Sequence, residues 1–124
     1  MRNYLTQEQV DFFNENGYLH VKGVFTEEEC LEAIESAEEC ADGHYTNYLD
    51  MHLRSPVVHK MLTGKKTCDV ADDIFGGARA IPCGTGYFFC KPNNPLEHGS
   101  VWHQDNYAPK AKHGAYLNLG LVLD

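Results

Sequence analysis

The sequence has few basic residues, no long apolar run and no pattern in its cysteines. It contains 10 Lys and Arg residues against 18 Asp and Glu residues, which gives a formal net charge of −8. Nucleic-acid backbones and anionic membrane surfaces attract basic patches, so this charge argues against both as partners. No apolar stretch approaches the roughly 20 residues that a membrane-spanning helix needs. We therefore predict a protein that binds neither nucleic acid nor membranes.

The five cysteines show no Cys-x-x-Cys pair, and their number is odd. The residues after Met1 are polar and do not read as a secretory signal. Reduced thiols that behave as small apolar residues fit this spacing best, whereas a zinc site has no support from it. The sequence therefore predicts a cytoplasmic, reducing compartment.

Helix signals dominate the first 77 residues. Thr6 and Thr26 each begin a capping box, because Gln or Glu follows three residues later, and apolar residues then recur at helical spacing. Ser55-Pro56 has the form of an N-cap followed by a first helical residue. A further short helix is predicted from about residue 67 to 75. Residues 18–25 alternate between apolar and polar side chains, which predicts a strand between the first two helices.

From residue 78 onward β-forming residues become frequent. Residues 79–81, 86–91 and 116–123 are predicted strands, separated by turns that contain Pro and Gly. No internal repeat or low-complexity linker is present. Mainly helical residues 1–77 followed by mainly strand residues 78–124 predict a single α+β domain, in which helices pack on one side of an antiparallel sheet.

His103 and Asp105 are the candidate metal ligands. In an extended strand, alternate side chains point to the same face, so the imidazole and the carboxylate project together. These are two of the three ligands in the 2-His-1-carboxylate triad that binds non-haem Fe(II). The spacing alone is weak, because a chance His-x-Asp is common in a sequence with seven His. A surface His beside a loop Asp is the alternative. The remaining histidines in the middle of the chain, His44, His52 and His59, are interpreted as surface or partly buried side chains.

Four segments then follow one another in a recognisable order. An opening helix over residues 5–18 begins with Leu-Thr-Gln-Glu-Gln-Val. Phe-Phe-Cys-Lys-Pro at 88–92 and Trp-His-Gln-Asp-Asn-Tyr at 102–107 come next, and a strand ends with Leu-Val-Leu-Asp at 121–124. In this order they resemble the phytanoyl-CoA dioxygenase family of Fe(II)- and 2-oxoglutarate-dependent oxygenases. The resemblance covers nearly all of this chain and about the N-terminal half of a family member.

The resemblance implies that His103 and Asp105 are the first two ligands of Fe(II). It also implies 2-oxoglutarate as cosubstrate and a small organic molecule as the substrate that is hydroxylated. The fold implied is a double-stranded β-helix, of the jelly-roll or cupin-like kind, with the N-terminal helices packed on it. Family members differ widely in substrate, so the substrate of this chain is not specified.

Five further residues are site candidates through the resemblance. Tyr87 and Lys91 share a strand face and are candidate contacts of the 2-oxoglutarate carboxylate; a solvated Lys91 is the alternative. Gln104 is counted with them, although strand alternation points it away from the metal face and favours a supporting role. Trp102 and Tyr107 flank the ligands as candidate lining of the substrate pocket, or as ordinary core aromatics.

The resemblance places a distal His and a 2-oxoglutarate-anchoring Arg in strands that would follow Asp124. We therefore expect an incomplete domain that corresponds to the N-terminal part of a family member. Part of a β-helix has open sheet edges, which predicts self-association through an exposed edge. The alternative function is a non-catalytic, dioxygenase-like scaffold or interaction module that lacks a complete metal site.

Overall fold

The computed structural model describes residues 3–43, 48–81, 85–87, 105, 112 and 116–123. This part of the chain combines helices with a small antiparallel sheet, which agrees with the predicted α+β class. Its elements are α1 (Gln7–Asn16), α2 (Glu27–Ala41), β1 (Tyr48–Leu49), a 3-10 helix (Met51–Leu53), α3 (Pro56–Thr63), α4 (Lys65–Ile74) and β2 (Gly86–Tyr87). Within these residues no helix combines the length and apolar character needed to cross a membrane.

Both predicted capping boxes are confirmed. The Thr6 hydroxyl accepts a hydrogen bond from the Gln9 N–H at 3.3 Å, and the Gln9 side chain accepts one from the Thr6 N–H at 2.9 Å. Thr26 and Glu29 repeat the arrangement at 3.2 and 2.8 Å. Each pair satisfies two N–H groups that a helix N-terminus leaves without an intrahelical partner. Local sequence therefore determines where α1 and α2 begin.

Helix α2 is joined to α4 by one ion pair. Glu29, which already caps α2, lies 2.6 Å from the Lys66 ammonium at the start of α4, and that ammonium lies 5.2 Å from the centre of the Phe25 ring. Hydrogen bonding to Lys66, followed by the bond from the Thr26 N–H, holds the pKa of the Glu29 carboxyl below its ordinary value. One carboxylate thus serves both a cap and an interhelical contact.

Helices α3 and α4 are connected by Gly64 alone. A Cβ added there would lie 2.5 Å from the Lys60 carbonyl oxygen, so only glycine fits this sharp turn. At the other end of α3, the buried Ser55 hydroxyl caps the helix by accepting from the Val58 N–H at 3.1 Å. The same hydroxyl lies 2.7 Å from the Ser36 hydroxyl, which ties α3 to α2.

The core lies where α2, the 3-10 helix and α3 meet. Ala37 and Ala41 of α2 pack with Met51 and Val58, and all four side chains are buried. Alanine on α2 lets the other elements approach its backbone closely, and Met51 fills the space between them. Partly buried side chains complete the cluster: Cys40, Tyr48, Leu62 and Tyr87.

The N-terminal segment before α1 is held by the buried carboxylate of Asp73, near the end of α4. Its oxygens accept hydrogen bonds from the backbone N–H groups of Asn3 at 2.9 Å, Tyr4 at 2.7 Å and Leu5 at 2.8 Å. Leu5 is buried as a result. This contact fixes the path by which the chain enters α1.

Strands β1 and β2 pair antiparallel, with Tyr48 opposite Tyr87 and Leu49 opposite Gly86. Three predicted strands are wrong: residues 18–25, 79–81 and 116–123 are described and form no strand. Alternating or apolar composition specifies an extended backbone, but a strand also requires a hydrogen-bonded neighbour that the local sequence does not choose. The predicted strand at 86–91 is a strand over Gly86–Tyr87, and its remainder lies outside the described residues.

Candidate functional site

Asp105 is the predicted metal ligand that the structure describes. Its side chain is exposed, and one carboxylate oxygen, Oδ2, accepts a hydrogen bond from the side-chain amide of Asn118. The other predicted ligand, His103, lies outside the described residues, as do Lys91, Gln104, Trp102 and Tyr107. Their assignments stay predictions.

Asn118 was not singled out by the sequence patterns. It is the one side chain with hydrogen-bonding amide chemistry within Tyr116–Leu123, a segment that is otherwise apolar apart from the Tyr116 hydroxyl. An exposed amide can hydrogen-bond to water as well as to protein, so this composition did not identify a partner. The structure identifies that partner as Asp105.

Tyr87, predicted as a cosubstrate contact, lies in β2 opposite Tyr48. Its partly buried ring packs against the cluster of Ala37, Ala41, Met51 and Val58. This position gives Tyr87 a packing role between the sheet and the helices. Contact with a cosubstrate carboxylate stays a prediction.

A second polar group lies beside the start of β2. The His52 Nδ1 atom is 2.6 Å from the Thr85 hydroxyl and 4.0 Å from the Asp50 carboxylate, and its ring stacks on His59 with centroids 6.1 Å apart. His52 is partly buried and His59 is exposed, as the sequence predicted for both. The Thr85 backbone carbonyl also accepts a hydrogen bond from the Asp50 N–H at 2.9 Å. The contacts of His52 and Asp50 with Thr85 therefore link the 3-10 helix to the start of β2.

An open groove lies along α1 and the segment that follows it. Phe12 and Tyr18 line it with rings in an edge-to-face arrangement, 5.4 Å between centroids. Glu8 and His20 contribute its ionisable groups. The groove contains none of the residues that the sequence predicts as site residues.

The donor chemistry of His103 and Asp105 fits Fe(II). Fe(II) takes carboxylate together with imidazole ligands, and Asp105 presents an exposed carboxylate. Across the described ranges alone, which omit residue 103, no three His, Cys, Asp or Glu residues are grouped so that they could hold a metal ion.

Comparison of the chain with family models, with curated proteins and with solved structures finds no match.

Proposed function

We propose that this protein is a non-haem Fe(II)- and 2-oxoglutarate-dependent oxygenase that hydroxylates a small organic substrate. The observation that supports the proposal is the state of Asp105. The carboxylate of the His-Gln-Asp motif is exposed and is held in place by an uncharged donor, Asn118. A carboxylate is a ligand that Fe(II) binds together with imidazole, so this side chain has the chemistry that the proposal requires.

In this proposal the His103 imidazole, in its neutral form, and the Asp105 carboxylate hold the metal. Fe(II), when bound together with 2-oxoglutarate, supplies the activation of O₂ that hydroxylation of a C–H bond requires. Lys91 attracts a carboxylate of 2-oxoglutarate through its ammonium group, with Tyr87 and Gln104 as further contacts.

Trp102 and Tyr107, on either side of the ligands, line the substrate pocket and exclude water from it in this proposal. The helices would pack against a double-stranded β-helix, and the antiparallel pairing of β1 with β2 is compatible with such a sheet. We also propose a cytoplasmic, reducing location, which the free thiols of Cys30, Cys40 and Cys68 support.

The location of bound metal tests the ligand assignment. Mn²⁺ is a paramagnetic probe that accepts the same oxygen and nitrogen donors as Fe(II) and broadens NMR signals from nearby nuclei. In ¹⁵N-labelled protein, substoichiometric Mn²⁺ is expected to weaken the amide signals around His103 and Asp105 first. An Asp105→Ala variant should lose this effect.

The acidic face of α2 provides the internal comparison for that experiment. Glu27, Glu28 and Glu29 lie in its first turn and attract cations. Among the described residues, they are not part of a group that could hold a metal ion. Broadening that begins at α2 and leaves the signals around Asp105 unchanged would contradict the assignment.

A second candidate function is a non-catalytic module that associates with another copy of itself. Two apolar side chains near β1 favour it: Leu49 is 80% exposed and Leu53 is 75% exposed. Exposed apolar residues beside a sheet edge are typical of an association surface. Sedimentation velocity is expected to show a dimer that a Leu49→Lys, Leu53→Lys double variant dissociates. A monomer at all concentrations would exclude this function.

A further inference from the structure

The open groove along α1 depends on the way in which the helix ends. Gly17 follows the helix with φ 78°, in the left-handed region that favours glycine, and its N–H donates to the Phe13 carbonyl oxygen at 2.8 Å. After this turn Tyr18 lies beside Phe12, and the two rings meet edge to face with 5.4 Å between their centroids. Leu19 lines the groove next to them. The wall of the groove is therefore largely apolar and aromatic.

Both rings are exposed to solvent: 41% of Phe12 and 64% of Tyr18 is accessible. A single exposed apolar side chain is common, but two aromatic rings in contact along a groove form a patch of the kind that marks a contact site. The groove is open, whereas sites for small molecules enclose most of their ligand. This shape fits a side chain from an extended segment of another protein better than a free small molecule.

The charge on this side of the molecule selects the chemistry of that side chain. Glu8 lines the groove, and hydrogen bonds from its own backbone N–H and then from the Thr6 side chain hold the pKa of its carboxyl below the ordinary value. Asp11 and Glu15 follow on the same helix, and no Lys or Arg occurs from residue 3 to residue 21. The complementary occupant is a cation.

We infer that this groove binds an arginine side chain of a partner protein, with the guanidinium over the Phe12 and Tyr18 rings and its N–H groups towards the Glu8 carboxylate. Aromatic rings attract cations placed over their faces. Arginine fits better than lysine, because its planar guanidinium stacks on such rings and its fork of N–H donors matches a carboxylate. The inference is independent of the proposed function, since it uses none of the residues assigned to metal, cosubstrate or substrate.

The experiment is a peptide titration of the ¹⁵N-labelled full chain, followed by the shifts of its amide NMR signals. The probe is acetyl-Leu-Arg-Leu-amide, and its counterpart has citrulline in place of arginine, which keeps the shape and removes the charge. The arginine peptide is expected to shift the signals of Phe12, Tyr18 and Leu19. It is expected to bind about fivefold more tightly than the citrulline peptide, which is the combined effect of an exposed charge pair and a cation–π contact.

Three variants locate the bound peptide. Glu8→Gln keeps the size of the side chain and is expected to weaken binding of the arginine peptide about threefold, with no change for the citrulline peptide. Glu28→Gln is the matched control and is expected to change neither affinity, because Glu28 is the second residue of α2 as Glu8 is of α1, behind the same kind of capping box. Phe12→Leu keeps an apolar side chain and is expected to weaken the arginine peptide about threefold.

Four results would overturn the inference. Two are the absence of shifts at Phe12 and Tyr18 and equal affinities for the two peptides. The third is equal weakening by Glu8→Gln and Glu28→Gln, which would show a general effect of net charge. The fourth is movement of the same signals when the protein alone is diluted, which would identify a second copy of this chain as the occupant. None of these results bears on the proposed oxygenase function.

Discussion

Replacing Asp73 with Ala is expected to lower the free energy of unfolding by about 3 kcal/mol. The Asp73 side chain is 1% exposed, and its two oxygens accept from the N–H groups of Asn3, Tyr4 and Leu5. Alanine leaves all three donors without an acceptor. These N–H groups can then hydrogen-bond to water only if the N-terminal segment detaches from α4, and this detachment also exposes Leu5. Urea denaturation gives the change in unfolding free energy, and hydrogen exchange at Leu5 reports detachment.

Two variants test that explanation. Asp73→Asn can keep its carbonyl oxygen at the Oδ2 position, where Tyr4 and Leu5 donate, so it is expected to lose about half as much free energy. Asp72→Ala is the neighbouring control. The Asp72 carboxylate accepts a hydrogen bond from the Ala80 N–H, and a loss of about 1 kcal/mol is expected. Equal losses of unfolding free energy for Asp73→Ala and Asp72→Ala would contradict the explanation. They would show that the bonds from Asn3, Tyr4 and Leu5 to Asp73 stabilise the fold no more than the bond from Ala80 to the Asp72 carboxylate.

Met51→Ala is expected to lower the free energy of unfolding by about 3 kcal/mol as well, for a different reason. Met51 is 1% exposed and fills the space among Ala37, Ala41 and Val58. Those neighbours are short, so they cannot move their side chains into the cavity that the substitution creates. The measurement is again urea denaturation, with the transition followed by circular dichroism.

Leu53 supplies the matched control for Met51. It lies in the same 3-10 helix but is 75% exposed, so Leu53→Ala is expected to change the unfolding free energy by less than about 0.5 kcal/mol. Met51→Leu keeps most of the buried volume and is expected to lose less than about 1.5 kcal/mol. A loss in Leu53→Ala as large as that in Met51→Ala would place the core elsewhere.

The helices were predictable because their signals are local. Thr6 with Gln9 and Thr26 with Glu29 cap helices through partners three residues away, and Ser55-Pro56 begins α3 in the same short range. In each case the capping residue and its partner lie within one helical turn in sequence. The sequence pattern alone therefore predicts the helix start that the structure shows.

Contacts between distant residues were not predictable in this way. Asp73 holds the N-terminal segment from 68 to 70 residues away, and nothing near Asp73 in sequence identifies that partner. The same dependence on distant partners explains why some predicted strands did not form. Residues 18–25 alternate like a strand, yet they form none, because pairing depends on a neighbour elsewhere in the chain.

In the candidate site, too, the local pattern was predictable and the contact between distant residues was not. The His103–Asp105 spacing is local and could be proposed from alternation, and the resemblance gave it a role. Asn118, which holds Asp105, could not, because the alternating pattern of residues 116–123 shows which residues face inward but does not show what lies opposite the outward ones.

Turnover of 2-oxoglutarate is the measurement that tests the central proposal most directly. The protein is incubated with Fe(II), 2-oxoglutarate, a reductant and O₂. Succinate is quantified for the unmutated chain, for His103→Ala and for His59→Ala, which alters an exposed histidine that is not part of the motif in sequence. We predict that succinate forms only slowly with the unmutated chain and with His59→Ala, because the resemblance places the third metal ligand and the 2-oxoglutarate-anchoring Arg in strands that would follow Asp124. Succinate formation is expected to require Fe(II) and to fall to the no-protein level with His103→Ala. Succinate formation that survives His103→Ala, or none from the unmutated chain, would contradict the proposal.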